Sequence, residues 1–203
     1  GDGYITTLAP NAYNRNIKWE TTETFNVGLD FGIFGGRING NVDAYYRKTS
    51  DLLNNITTPM GNNFSNTVIS NVGNMKNMGV EFNLNFIPIE KQDMRWTINV
   101  NGTYQKTEIT KLTNDDSTYL GVQTGANMGG TGGYTSLHRV GYAPYTYYLY
   151  QQAYDENGKA IQNVLVDRDG DGSITEADRY VTGKSITPKF FFGLSSQFTY
   201  KKW

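Results

Sequence analysis

Three aspartates, Asp167, Asp169 and Asp171, stand at alternate positions in the stretch DRDGDGSITEAD and are followed by Gly172. This is the ligand spacing of a calcium loop. A hard cation takes carboxylate oxygens from loop positions one, three and five, and a glycine at position six permits the sharp turn. By the same count Ser173 offers its backbone carbonyl, Thr175 a hydroxyl or a bound water, and Asp178 the twelfth-position carboxylate. An EF-hand carries a bidentate Glu at that last place. The shorter Asp178 implies weaker binding or a different final ligand. The alternative is a Gly/Asp turn that holds no metal. No helical pattern precedes the loop, and a strand pattern follows soon after it, so the helix pair of an EF-hand is missing from the sequence pattern.

Few other residues form a chemical constellation. Tyr142, Tyr145, Tyr147, Tyr148, Tyr150 and Tyr154 crowd one short run. They could stack on sugars or contact a partner, or simply pack a loop. The lone His138 lacks a second ligand or catalytic partner and reads as an ordinary loop residue. GANMGGTGG has no strand before it and no Lys-Ser/Thr after it, so it is not a phosphate loop. No nucleophile elbow or paired-carboxylate pattern is present, and the expectation is that the chain is not an enzyme. Without cysteine there is no disulfide framework and no thiolate metal site. A net charge of -1 gives no basic surface for nucleic acid.

The elements that must position these residues are strands. From Thr24, apolar Phe25, Val27, Leu29, Phe31 and Ile33 alternate with Asn26, Gly28, Asp30 and Gly32. Such period-two alternation puts one apolar and one polar face on a strand. FGGR makes a tight turn, and the chain returns as INGNVDAYYRK. GVEFNLNF, RWTINVNGTYQK and KFFFGLSSQFTY repeat the pattern. Strands are expected near 22–34, 37–49, 78–88, 94–107 and 188–200, with long loops at 50–77 and 108–187.

Two architectures suit such strands: a soluble sandwich that buries the apolar face, or a membrane barrel that turns it to lipid. The length of the segments matches the ~9–11 residues a tilted strand needs to cross a bilayer. Short and long connections alternate, and Phe34, Tyr45, Tyr46, Trp96, Tyr104, Tyr200 and Trp203 gather near strand ends as candidate interfacial girdles. No apolar run is long enough for a transmembrane helix. A mean hydropathy of -0.54 does not argue against a barrel, whose strands are half polar. Barrels need at least about eight strands, so five imply a segment of a larger one.

The stretch NRNIKWETTETFNVGLDFGIFGGRINGNVDAYYRKTSDLL resembles the SusC/RagA-type TonB-dependent transporters of Bacteroidetes outer membranes, whose members carry an Asn-Pro-x-Leu-Lys-Trp-Glu opening, a GLDFG strand and a YYRKTSDLL exit. NVGNMKNMGVEFNLNF and the region from DRDGDG to SSQFTY resemble the family in the same order. The sequence departs in having NRN at Asn14 in place of Asn-Pro. The resemblance implies an all-β, antiparallel up-and-down transmembrane barrel segment in the outer membrane, taken from the C-terminal part of the barrel. It further implies import of an oligosaccharide or peptide, a SusD-like lipoprotein seated on the loops, and energy from TonB-ExbB-ExbD through a plug domain lying elsewhere. Two other readings remain at this stage: a soluble, calcium-stabilised β-sandwich for carbohydrate binding or adhesion, and a barrel used for export or surface attachment.

Overall fold

The computed structural model describes residues 13–57, 67–112, 120–127 and 133–201. Trp203 and positions 128–132 of the glycine-rich stretch lie outside them. Eleven strands and one 3-10 turn make up the described residues. Four long strands run in sequence: β1 (Thr21–Ile33), β2 (Ile38–Thr57), β3 (Thr67–Lys91) and β4 (Met94–Leu112). With β11 (Phe190–Tyr200) they form an antiparallel sheet in the order β1-β2-β3-β4-β11.

The register converts the alternation into rows. Leu29 pairs with Val42, Val42 with Phe82, Phe82 with Gly102 and Gly102 with Phe192. The next row is Phe31, Gly40, Leu84, Val100 and Leu194. One register step away, Asp30, Asn41, Asn83, Asn101 and Gly193 form a row on the opposite face. That polar wall is internally bonded: Asn99 Nδ2 donates to Asn83 Oδ1 at 3.0 Å and Asn77 Nδ2 to Thr107 Oγ1 at 2.6 Å.

Among the described residues no second sheet covers the apolar face. Phe25 is 68% exposed, Phe192 71% and Leu194 66%. A sandwich would bury these side chains, and the sandwich reading is overturned on this point. On β4 the apolar face runs from Met94 to Tyr104, about 33 Å along a strand at ~3.3 Å per residue. Tilted by ~40°, that spans about the ~25 Å apolar band of an outer-membrane barrel. Above it on the same face come the row Phe25, Tyr46, Met78 and Lys106 and then the row Glu23, Lys48, Lys76 and Glu108, where Lys76 Nζ lies 3.0 Å from Glu108 Oε1. The apolar surface therefore ends abruptly at charge. Trp96, whose Nε1 donates to Ser196 Oγ at 2.9 Å, marks the other end. Tyr46 and Tyr104 share the apolar rows, but Tyr45 does not: it pairs with Gly79 on the polar face, so it is no lipid-side girdle residue. Its hydroxyl would come within 2.7 Å of a Cβ at position 79, which explains the glycine there.

The long loop expected at 50–77 is corrected. β2 continues to Thr57 and β3 begins at Thr67, both well beyond the apolar band. Above the membrane both faces of a strand meet water, so alternation disappears while backbone pairing persists. The Asn- and Ser-rich composition then looks like a loop. A bulge marks the transition: Asp51, at φ +58, donates its N–H to Asn74 Oδ1 at 3.1 Å, and Asn71 Nδ2 donates to its carbonyl at 2.7 Å. The loop expected at 108–187 is likewise corrected. It contains β5 (Val122–Asn127), β6 (Tyr134–His138), β7 (Thr146–Leu149), β8 (Gln152–Tyr154), β9 (Ala160–Leu165) and β10 (Tyr180–Ser185). These form a four-stranded sheet, β10-β7-β6-β5, and the hairpin β8-β9. They are too short to show a period in sequence.

The central apolar row generates a test. Leu29→Arg is expected to cost about 2–4 kcal/mol in bilayer-embedded stability, measured by urea titration of the full-length receptor in vesicles. Asn85→Lys, on the opposite face, is expected to be near neutral in the same titration.

Candidate functional site

The acidic loop lies between β9 and β10, on the side of the sheet that bears the long connections. Its turns follow from aspartates that bond their own backbone, the usual behaviour of Asp in tight turns. Asp167 Oδ1 accepts from Gly170 N at 2.7 Å and Oδ2 from Gly172 N at 2.8 Å. Asp169 Oδ1 accepts from Asp171 N at 3.1 Å, and Asp171 Oδ1 from Ser173 N at 2.7 Å. Gly170 and Gly172 sit at φ +77 and +86, where a side chain would be strained.

This folding brings Asp167, Asp169 and Asp171 together, with one oxygen of each inside 4.8 Å of the others. Oxygens at ~2.4 Å from one Ca2+ fall within that separation of each other, so the donor set fits a single hard cation. The Asp169 carboxyl sits above its ordinary range. The Asp171 N–H draws it down, but desolvation and the neighbouring Asp171 and Asp178 charges outweigh that bond. A bound cation would relieve this crowding.

The remaining expected ligands are placed differently. Asp178 is fully buried. Its Oδ2 accepts from Thr175 N at 2.8 Å, and its Oδ1 from Arg168 N at 2.6 Å and Asp169 N at 3.4 Å. These backbone donors hold its carboxyl below the ordinary range. Thr175 Oγ1 caps the 3-10 turn Glu176–Asp178 by accepting from Ala177 N at 3.2 Å. Asp178 thus closes the loop on itself, tying its first residues to its last.

The adjacent Arg179 was not visible as a functional residue in the sequence. Its side chain is wholly buried. Nη2 donates to the carbonyls of Tyr134 in β6 and, at 2.7 Å, of Tyr148 in β7. The guanidinium lies 4.0 Å from the centre of the Tyr148 ring, and Nη1 is 3.8 Å from Glu176 Oε1. Among the described residues Nε and Nη1 have no hydrogen-bond partner. The tyrosine run is accordingly divided. Tyr148 is buried beneath Arg179, and burial raises its phenol. Tyr150 lies 5.9 Å from the same guanidinium, and Tyr147 pairs with Ser136. The Tyr142 carbonyl accepts from Ile109 N at 2.9 Å, joining the loops to β4. Tyr145 meets His138 ring to ring at 4.7 Å, and Tyr154 stands out on β8.

Arg179→Met should leave the Tyr148 carbonyl stranded, at a cost of about 1–3 kcal/mol. The expected readout is faster amide exchange in β7 and β10 of the full-length receptor, with exchange in the β1–β4 core unchanged.

The geometry so far is that of an exposed-faced barrel wall carrying a folded loop head. The family described as TonB dependent receptor-like, beta-barrel, matches residues 1–202. The chain is 45% identical over 202 residues to TonB-dependent receptor SusC of Bacteroides thetaiotaomicron, covering 99% of this chain and 20% of that protein. It is 31% identical over 202 residues to TonB-dependent receptor P3 of Formosa agariphila, covering 93% and 20%. Among solved structures, the RagAB peptide importer in its open-open state superposes with a TM-score of 0.72 at 27% identity, over 94% of this chain and 20% of that one. The chain spans about a fifth of the length of the curated relatives it matches. It belongs to the TonB-dependent receptor β-barrel family and is an antiparallel wall segment of a SusC/RagA-like outer-membrane barrel.

Proposed function

We propose that this chain supplies C-terminal strands and surface loops to an importer of large nutrients, an oligosaccharide or a peptide, and has no enzymatic role. The observation that carries the reading is the register of the five-stranded sheet. It places every apolar row toward lipid and an Asn- and Thr-lined row toward a wet lumen. A polar lumen wall lets hydrophilic cargo pass without being held strongly at any one point. In this reading a SusD-like lipoprotein covers the loop head, contacting the tyrosine-bearing strands. TonB-ExbB-ExbD drives release through a plug domain outside this chain.

The relatives' names support this assignment: two are TonB-dependent receptors, and the RagAB structures are those of a peptide transporter or importer. The test is uptake of fluorescent oligosaccharide and peptide pools by cells carrying the full-length receptor. Loss of uptake on deleting either the receptor or TonB is expected, together with co-purification of a surface lipoprotein. Uptake that persists without TonB would overturn the reading.

The same proposal gives Ca2+ a structural role at Asp167, Asp169 and Asp171, with Ser173, Thr175 and Asp178 completing or closing the loop. The ion would neutralise three crowded carboxylates and stiffen the β9–β10 connection. Calorimetric titration of the full-length receptor with calcium is expected to give binding near ~10⁻⁴–10⁻³ M, typical of extracellular modules. Asp169→Asn should weaken it at least several-fold. Flat heats in the wild-type receptor would remove the metal.

A further inference from the structure

A cavity of about 300 Å³ opens where the loop sheet meets the upper ends of β2, β3 and β4. Its wall is largely aliphatic, with Leu52 and Leu53 from β2, Met75 from β3, Ile109 and Leu112 from β4 and Val122 from β5, and Asn54 of β2 adds a polar amide. Met75 and Ile109 pair with each other on the lumen side of the register, in line with Asn77 and Thr107. The cavity therefore borders the path that the polar wall lines. Among the described residues, no Asp, Glu, Lys or Arg lines it.

Two groups on its rim are held in unusual ways. Tyr145 has φ +55, a conformation that costs a non-glycine residue strain and concentrates at functional positions. Its N–H donates to His138 Nδ1 at 3.3 Å, and the two rings meet edge to face. A neutral imidazole that accepts at Nδ1 carries its proton on Nε2. Burial lowers the His138 pKa and so favours that neutral form. His138 itself lines the cavity, beside Tyr145 and Pro144. The site thus combines a largely aliphatic hollow with a hydrogen-bond donor, the usual composition of a ligand pocket.

We propose that this cavity is a specificity subsite at the mouth of the lumen, taking an uncharged apolar side chain of a peptide while His138 Nε2–H donates to the peptide carbonyl. The inference rests on the import reading and narrows its substrate class. Against the six aliphatic side chains a saccharide would lose hydroxyl hydration with no hydrogen bond in return, whereas a leucine or phenylalanine side chain gains from the same burial.

The test is fluorescence anisotropy with detergent-solubilised full-length receptor and two labelled probes: the capped pentapeptide Ala-Leu-Phe-Leu-Ala and maltoheptaose. Leu53→Trp, at the rim, should fill the hollow and weaken the peptide roughly ten-fold. His138→Phe should weaken it several-fold and leave the hollow's volume nearly intact. Neither should change maltoheptaose binding. Retained heat-modifiability on gels checks that each barrel is folded; if Leu53→Trp fails this check, His138→Phe decides alone. Peptide affinity unchanged in the folded variants, no peptide binding by the wild type, or an equal loss for both probes would overturn the subsite. Equal loss would mean that part of the receptor's own chain fills the cavity. Because binding in detergent needs no TonB, failure of the subsite and failure of the import reading give separable results.

Discussion

A peptide group inside hydrocarbon has no water to bond, and each unpaired one costs several kcal/mol. That constraint organises this chain. Through the apolar band β1 to β4 and β11 are hydrogen-bonded side by side, with a ladder that breaks only at bulges near the ends. Side-chain placement follows from it without further choice. Once pairing is continuous, period-two geometry sends Leu29, Val42, Phe82 and Phe192 to one face and Asp30, Asn41, Asn83 and Asn101 to the other. The band ends where Glu23, Lys48, Lys76 and Glu108 take the apolar face, because charge there needs water. Among the described residues, the outer edges of β1 and β11 remain open to further strands of a larger barrel.

The same pairing does a second task above the membrane. β2, β3 and β4 extend 19 to 25 residues, far more than a crossing requires. The excess raises a stiff palisade on which the loop head rests. Ile109 and its backbone partners Gly141 and Tyr142 make the seam, at 2.9 Å in both directions. Within the head, neighbouring residues point opposite ways, and Asp178 and Arg179 exploit this. The carboxylate closes the acidic loop while the next side chain bonds carbonyls of β6 and β7. One peptide bond therefore ties the order of the acidic loop to the order of the tyrosine-bearing strands. An arginine buried with Nε and Nη1 unpartnered is costly, and its carbonyl bonds and the Tyr148 ring offset part of that cost.

What the sequence reveals tracks the solvent on each face. Where one face meets lipid and the other water, alternation is strong, and the crossing parts of all five long strands are legible from the alternation around Phe25, Val42, Val80, Ile98 and Phe192. Above the band the contrast vanishes, so Asn54 to Thr57 and Val68 to Asn74 look like loop although they are paired strand. The acidic triad is legible because turn chemistry is local: each aspartate bonds a backbone N–H within five residues. The burial of Arg179 is not legible, since its partners Tyr134 and Tyr148 lie on strands of five and four residues with no period. His138 is illegible for the same reason; its partner Tyr145 comes from across a turn.

Taken as a wall, the chain separates two requirements that conflict elsewhere in proteins. Lipid demands an exposed apolar surface, and water-filled passage demands the opposite. A strand meets both at once because its faces are independent. The cost is that neither face of the sheet supplies a core, and only where the loop head folds over the palisade do Leu137, Thr146 and Ile109 become buried. Shape-specific contact with anything passing through needs such packing, since a flat polar ladder offers only exchangeable hydrogen bonds. Among the described residues, side chains packed closely enough for such contact gather where folded loops meet the extended strands.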